Sequence, residues 1–295
     1  MVQHCRREEV GTSCRTPGEG AQRVLSRLMR LPGLTGLLAP SSRNYRGLLR
    51  AANSFHGMDL DWTPGCERVM VLAPHMDDEV LGCGGAVALH RRAGGPVTVV
   101  FLTDGRQGSS ALHGLGGAAL QEAQQRLVGV RKAEADAALR TLGVTDAVFL
   151  DAVDGRLDED KVIAGRLAAE LSRTRPQIVY VPSFLEQHPD HRAASAVLLT
   201  AASGSWSEFA VHAYEVWTPQ HPNCLVSIDA VVDIKRAALA HYRSQLAEAD
   251  FEHGILGLNA YRAMMRPRHG RRYAEAFCAL PLAEYAALCR EFRDG

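Results

Sequence analysis

Apolar residues recur along the chain in short unbroken runs, separated by segments where they return every three or four positions. Val69–Ala73 (VMVLA) is one such run, stopped by Pro74, and Pro96–Leu102 (PVTVVFL) is another. Ala147–Leu150 and Gln177–Pro182 repeat the pattern. Runs of this length, rich in valine and bounded by Pro, Gly or charged residues, predict strands buried on both faces. Between them the spacing becomes helical. Val80, Leu81, Ala86, Val87 and Leu89 follow the first run, residues 118–142 closed by Gly143 follow the second, and Asp160–Arg173 follow the third. This alternation predicts an α/β fold: a Rossmann-like, mostly parallel sheet with helices on both faces. Beyond about residue 205 the rhythm loosens to short strands at 210–217 and 225–228 and helices at about 233–247 and 281–293. Residues 103–117 are glycine-rich and aperiodic, which predicts a loop at a strand end, either a mobile lid or a plain surface connection.

Composition narrows the class of protein. The 295 residues, 46% of them apolar, suffice for a sizeable core. Thirty-three basic residues balance 33 acidic ones, which argues against a polyanion binder and hence a nucleic-acid partner. No apolar run reaches the ~18 residues of a membrane span, and the N-terminus lacks the basic-then-apolar order of a secretory signal. The seven cysteines are scattered without a CxxC pair and read as reduced thiols of a cytoplasmic protein. The charge balance is not local, however. Residues 1–50 hold nine arginines against three glutamates, a net +6. Within them Val24, Leu25, Leu28 and Leu31 predict a short amphipathic helix with Arg23, Arg27 and Arg30 on its other faces. The chain therefore divides into a basic arm, 1–60, partly helical or disordered, and a domain over 61–295. The arm is expected to dock, either peripherally on an anionic membrane or on a neighbouring subunit of a homo-oligomer.

Candidate chemistry collects at two strand ends. His75-Met76-Asp77-Asp78 follows the first strand, and His188-Pro189-Asp190-His191 lies just beyond the fourth. Loops at the carboxyl ends of strands are where open α/β sheets bind ligands. An imidazole and two adjacent carboxylates there are costly to desolvate without a partner, and a divalent metal is the obvious one. His188 and His191, three apart, can face the same side of a helix start. Singly such residues are caps or solvated groups; from two loops at equivalent positions they predict a metal site. Gly82-Cys83-Gly84-Gly85 does not fit GxGxxG and falls inside the helix start, which disfavours a dinucleotide site.

Pro74-His75-Met76-Asp77-Asp78-Glu79 with Gly82-Cys83-Gly84-Gly85, and later His188-Pro189-Asp190-His191, resemble the paired signatures of the PIG-L/LmbE family of zinc-dependent N-acetylglucosaminyl deacetylases. Leu102–Gly105, Arg131–Glu134, Ser244-Gln245 and Tyr273–Phe277 extend the resemblance over about residues 66–280. Met76 departs from it, standing where the family usually has proline. The resemblance implies His75, Asp78 and His191 as ligands of Zn2+, a set that Fe2+ also accepts. It implies Asp77 as general base and His188 as an imidazolium facing the oxyanion. Asp190 would then hold His188 or orient His191. It further implies Arg131, Tyr273 and Glu275 as substrate contacts, the last two in a closing wall of the pocket. The implied substrate is a small, lipid-linked or nucleotide-linked amino sugar. Two alternatives stand beside it: a related zinc amidase acting on a thiol conjugate or natural-product intermediate, and a carbohydrate-binding protein with a dead site.

Overall fold

A computed structural model describes residues 60–265 and 271–293. The helix expected near residues 24–31, the basic arm except Leu60, and Arg268 and His269 lie outside the described residues.

Seven strands form one sheet: β1 (Val69–Ala73), β2 (Val97–Thr103), β3 (Asp146–Ala152), β4 (Ile178–Pro182), β5 (Ala210–Tyr214), β6 (Cys224–Ser227) and β7 (Ala274–Pro281). Their spatial order is β3-β2-β1-β4-β5-β7-β6. The first five strands pair in parallel, while β7 runs antiparallel to both β5 and β6. The helices are α1 (Asp78–Arg92), α2 (Gly117–Leu142), α3 (Ile163–Thr174), α4 (Pro189–Ser203), α5 (Val232–Leu239), α6 (Arg243–Leu246), α7 (Phe251–Met264) and α8 (Leu282–Arg293).

β1 shows why its sequence reads as an unbroken apolar run. It lies between β2 and β4, and all five of its residues are buried. Val69, Val71 and Ala73 join one core with α1, α2, α5 and α7, whereas Met70 and Leu72 join the opposite core with α3, α4 and α8. The sheet is thus covered on both sides, as parallel strands require.

The chain builds β1, β2 and β3 outward in one direction, then returns to place β4 and β5 on the other side of β1. The order therefore reverses between β1 and β4, and the crevice outside their carboxyl ends is the ligand position of such sheets. Both histidine-containing loops open onto it, since α1 follows β1 and α4 follows β4.

The C-terminal part differs from expectation in three ways. The helix expected over 233–247 is two pieces, α5 and α6, broken at Tyr242, whose buried hydroxyl reaches Glu79. Helix α7 was not legible, because two glycines and apolar residues on several faces blur its period. Residues 274–281 form strand β7, whose first five residues are buried.

Candidate active site

Three ligand-type atoms meet at the crevice. His75 Nδ1 lies 3.3 Å from Asp78 Oδ2 and 3.3 Å from His191 Nε2, and Asp78 Oδ2 lies 3.2 Å from His191 Nε2. This near-equilateral triangle fits one ion. With metal–ligand bonds of about 2.0–2.1 Å, two tetrahedral ligands stand about 3.3–3.4 Å apart. All three residues are buried. Asp78 Oδ2 is also fixed by the His75 backbone N–H at 2.8 Å.

The partners of each ring decide which nitrogen faces the triangle. His75 Nε2 lies 3.1 Å from Asp154 Oδ1 and 3.2 Å from Asp190 Oδ2. Both carboxylates already accept backbone N–H bonds: Asp154 from Gln107 at 2.8 Å, and Asp190 from Gly155 at 2.7 Å and Leu157 at 3.1 Å. They therefore call for a proton on Nε2, which leaves the Nδ1 lone pair for a metal. His75, Asp154 and Asp190 also form a cluster of metal-ligating types. These carboxylates are better read as the outer partners of His75 than as ligands. His191 has the converse arrangement, its Nδ1 lying 3.6 Å from Glu186 Oε2 while Nε2 faces Asp78.

The electrostatics of the three groups are those of a cation site. Burial raises the Asp78 pKa, but the charges and hydrogen bonds of His191 and His75 outweigh it and hold the carboxyl well below its ordinary range. Burial lowers the His191 pKa, yet Asp78 and Glu186 carry it up to about 9. His75 is likewise raised by Asp154, Asp190 and Asp78 against its burial. A divalent ion bound by these three groups would compete with protons for the same lone pairs, so its binding would release protons.

Asp77 precedes α1, but its side chain does not cap the helix. Its φ of 144° lies where non-glycine residues are strained, on the order of 1–3 kcal/mol. Arg131 holds it there, donating to the carbonyl of Met76 at 2.9 Å and approaching Asp77 Oδ1 at 3.4 Å. Burial pushes the Asp77 carboxyl up to about 7; Arg131 opposes this and Asp78 adds to it. Met76 points into the core, fully buried. Glu79 is not a ligand. Its carboxylate accepts from Asp77 N at 3.2 Å and from Tyr242, and burial raises it to about 8.

A cleft of about 190 Å³ opens onto these groups, lined among others by Asp77, His188, Gln107, Arg131 and Trp217. His188 Nδ1 accepts the Asp190 backbone N–H at 3.2 Å, so the neutral ring carries its proton on Nε2. Burial, reinforced by the charges of His75 and His191, lowers its pKa. This tautomer offers its Nε2–H to the cleft, whereas the imidazolium that the sequence suggested would have to give up the bond to Asp190 N.

Three expectations are corrected. The Asp190 carboxylate orients His75, and its hydrogen bonds reach neither the His188 nor the His191 side chain. Glu275 is only 1% exposed and bonds Gly85 N and Ala86 N, each at 2.8 Å, and Lys235 Nζ at 2.7 Å. It serves α1 rather than a substrate. Tyr273 lies beside Arg236 and Arg272, bordering a different pocket from the one around His75. Arg131 does border the cleft, but two of its nitrogens are engaged by the Asp77 and Gly105 segments. The glycine-rich loop is tied at Gln107 to Asp154 and at Gly108 to Gln245 (3.1 Å). Asp154 and Glu186 were missed. Each lies in a loop just beyond a strand's carboxyl end, which is the one signal the sequence carried for them; Glu186 is the lone acid of its loop, whereas Asp154 shares its loop with Asp158, Glu159 and Asp160.

Comparison with known proteins follows the same lines. Residues 70–202 match the family described as PIG-L: GlcNAc-PI de-N-acetylase. The chain is 26% identical over 231 residues to diacetylchitobiose deacetylase of Thermococcus kodakarensis, spanning 73% of this chain and 84% of that protein. It is 30% identical over 186 residues to 4-oxalmesaconate hydratase of Pseudomonas putida, spanning 58% and 70%. The crystal structure of a conserved protein from Thermus thermophilus superposes with a TM-score of 0.61 at 30% identity, covering 73% of this chain and 95% of that one.

Proposed function

The chain belongs to the PIG-L family, and from that premise we propose that it is an N-deacetylase releasing acetate from an N-acetylglucosamine-type sugar conjugate. One observation carries the reading: the His75–Asp78–His191 triangle with the Asp77 carboxyl beside it in one cleft. A zinc ion held by those three side chains would acidify a water molecule and polarise the amide carbonyl, a role Fe2+ could also fill.

The protein's own groups do the rest. Asp77 takes the proton of the attacking water and returns it to the departing amine nitrogen. A carboxyl raised to about 7 by burial suits both halves of that exchange near neutrality. His188 donates its Nε2–H to the oxygen that becomes negative as the amide carbon turns tetrahedral. Arg131 keeps Asp77 in its strained conformation. Asp154 and Asp190 keep the proton of His75 on the outer nitrogen.

The substrate is a small amino-sugar conjugate, free, lipid-linked or nucleotide-linked. Among the described residues no helix is long and apolar enough to cross a membrane. The hydratase relative gives a second reading, in which the same base and metal set add water to an activated double bond. Acetate release should be measured across N-acetylglucosamine, N,N′-diacetylchitobiose, and inositol-, phosphatidylinositol- and nucleotide-linked N-acetylglucosamine. The expected result is one acetate and one free amine per turnover from at least one of them. Hydration of an activated alkene acid without acetate release from any of these sugars would replace this reading with the second.

A further inference from the structure

Trp217 is 50% exposed, although it lines the cleft whose floor holds buried His75, Asp77 and His191. It belongs to the loop between β5 and β6, at the same sheet edge as the two histidine loops. Phe251 meets its ring edge-on, with centroids 5.5 Å apart and planes at 69°. The backbone beneath it is fixed. The N–H groups of Val216, Trp217 and Thr218 converge on the buried Glu186 carboxylate at 2.7–3.2 Å. Glu186 is the same residue that faces His191 Nδ1. One carboxylate thus ties the position of this indole to the position of a candidate metal ligand. A large aromatic surface left half open on an anchored main chain is preorganised for contact.

Gln107 and Gln245 also line the cleft; their amide nitrogens are bonded to Asp154 O and Gly108 O, which leaves the amide oxygens as acceptors for a ligand. A pyranose or similar ring matches such a pair of walls, with hydroxyls at its rim and a face of C–H bonds. That face packs on the negative π-face of an aromatic ring. Depth fixes which part of the substrate meets the indole. The acetamide must reach the buried floor, so the group joined to the acetamido sugar lies at the half-exposed rim.

We propose that Trp217 is a specificity-determining residue that stacks on the ring attached to the acetamido sugar. It thereby selects two-ring conjugates over free N-acetylglucosamine. The proposal rests on the deacetylase reading and adds a substrate class to it.

The test compares kcat/KM for N,N′-diacetylchitobiose, 4-nitrophenyl N-acetyl-β-glucosaminide and N-acetylglucosamine in wild type, Trp217→Ala and Trp217→Phe. In Trp217→Ala the ratio of either two-ring substrate to N-acetylglucosamine should fall about tenfold, carried by KM, and Trp217→Phe should recover most of it. An unchanged ratio overturns the proposal. A second measurement does not depend on turnover. Asp77→Asn protein is titrated with N,N′-diacetylchitobiose while tryptophan emission is followed. Emission should change on binding, and the change should vanish when Trp217→Phe is added. A change that survives in the double variant, or no change at all, overturns the stacking assignment. Acetate release absent from every sugar in the wild type would instead count against the deacetylase reading.

Discussion

Replacing Glu275 by alanine should destabilise the protein more than any single contact at the surface would, because Glu275 completes a break in α1. The helix is interrupted at Cys83, whose φ and ψ are −144° and 17°. There the carbonyl of Leu81 and the N–H groups of Gly85 and Ala86 are met by side chains. Lys235 Nζ donates to Leu81 O at 2.9 Å, and the Glu275 oxygens accept from Gly85 N and Ala86 N. The two side chains pair with each other at 2.7 Å, at 1% and 0% side-chain exposure. Removing one partner of such a buried pair costs about 3–5 kcal/mol. The two orphaned N–H groups belong to that same loss, at about 1–3 kcal/mol each. We therefore expect Glu275→Ala to lose about 3–5 kcal/mol. Lys235→Met/Glu275→Ala should lose less than the sum of the single variants by at least about 1 kcal/mol, since no lone charge is left buried. Urea unfolding followed by circular dichroism at 222 nm provides the values. A loss below about 1 kcal/mol in Glu275→Ala, or strict additivity in the cycle, would refute the role assigned to the pair.

Two further outcomes follow from packing and burial. His212 lies against Trp62, Tyr180 and Phe277 with no hydrogen bond to its Nδ1, and burial, with a smaller contribution from His90, lowers its pKa to about 3. The unfolded chain binds this proton first, near the ordinary value of about 6.5, so the stability contribution is complete above that pH and declines as pH falls towards 3. Between pH 7.5 and 5.5 the wild type should lose about 1.4 kcal/mol that His212→Leu does not lose, and parallel urea midpoints in the two proteins would contradict this. Gly82→Ala would put its methyl group into the ring of Tyr214, which cannot retreat while its hydroxyl bonds Leu72 O at 2.8 Å. A loss of about 1–3 kcal/mol is expected in the same assay, and an unchanged midpoint would show that the ring yields.

The central strands were legible because β1, β2 and β4 are covered on both faces, and such coverage writes itself as unbroken apolar sequence. The two histidine motifs were legible because they combine ligand-type residues with strand ends. What stayed hidden depends on partners remote in sequence. Asp190 lies within a recognised motif, yet its carboxylate serves His75, 115 residues away. Glu275 sits in a stretch that resembles the family's pocket wall, and only the fold brings it beneath Gly85, 190 residues away. Asp154 and Glu186 belong to no motif, and Asp154 is one of several acids in its stretch. The break in α1 was hidden for the same reason: the glycines announce freedom at Gly82–Gly85, but the groups that complete the break come from α5 and β7.

Two adjacent aspartates have separate tasks in the proposed reaction, Asp78 to hold a metal and Asp77 to move a proton. The most direct test is metal content by plasma mass spectrometry, together with acetate release, in the wild type, His191→Ala and Asp77→Asn. Wild type and Asp77→Asn should each hold about one divalent ion per chain, while His191→Ala loses most of it. Asp77→Asn should nonetheless turn over about 10²–10⁴-fold more slowly. Full metal in His191→Ala, or an Asp77→Asn protein that loses its metal yet recovers the wild-type rate once reloaded, would contradict that division.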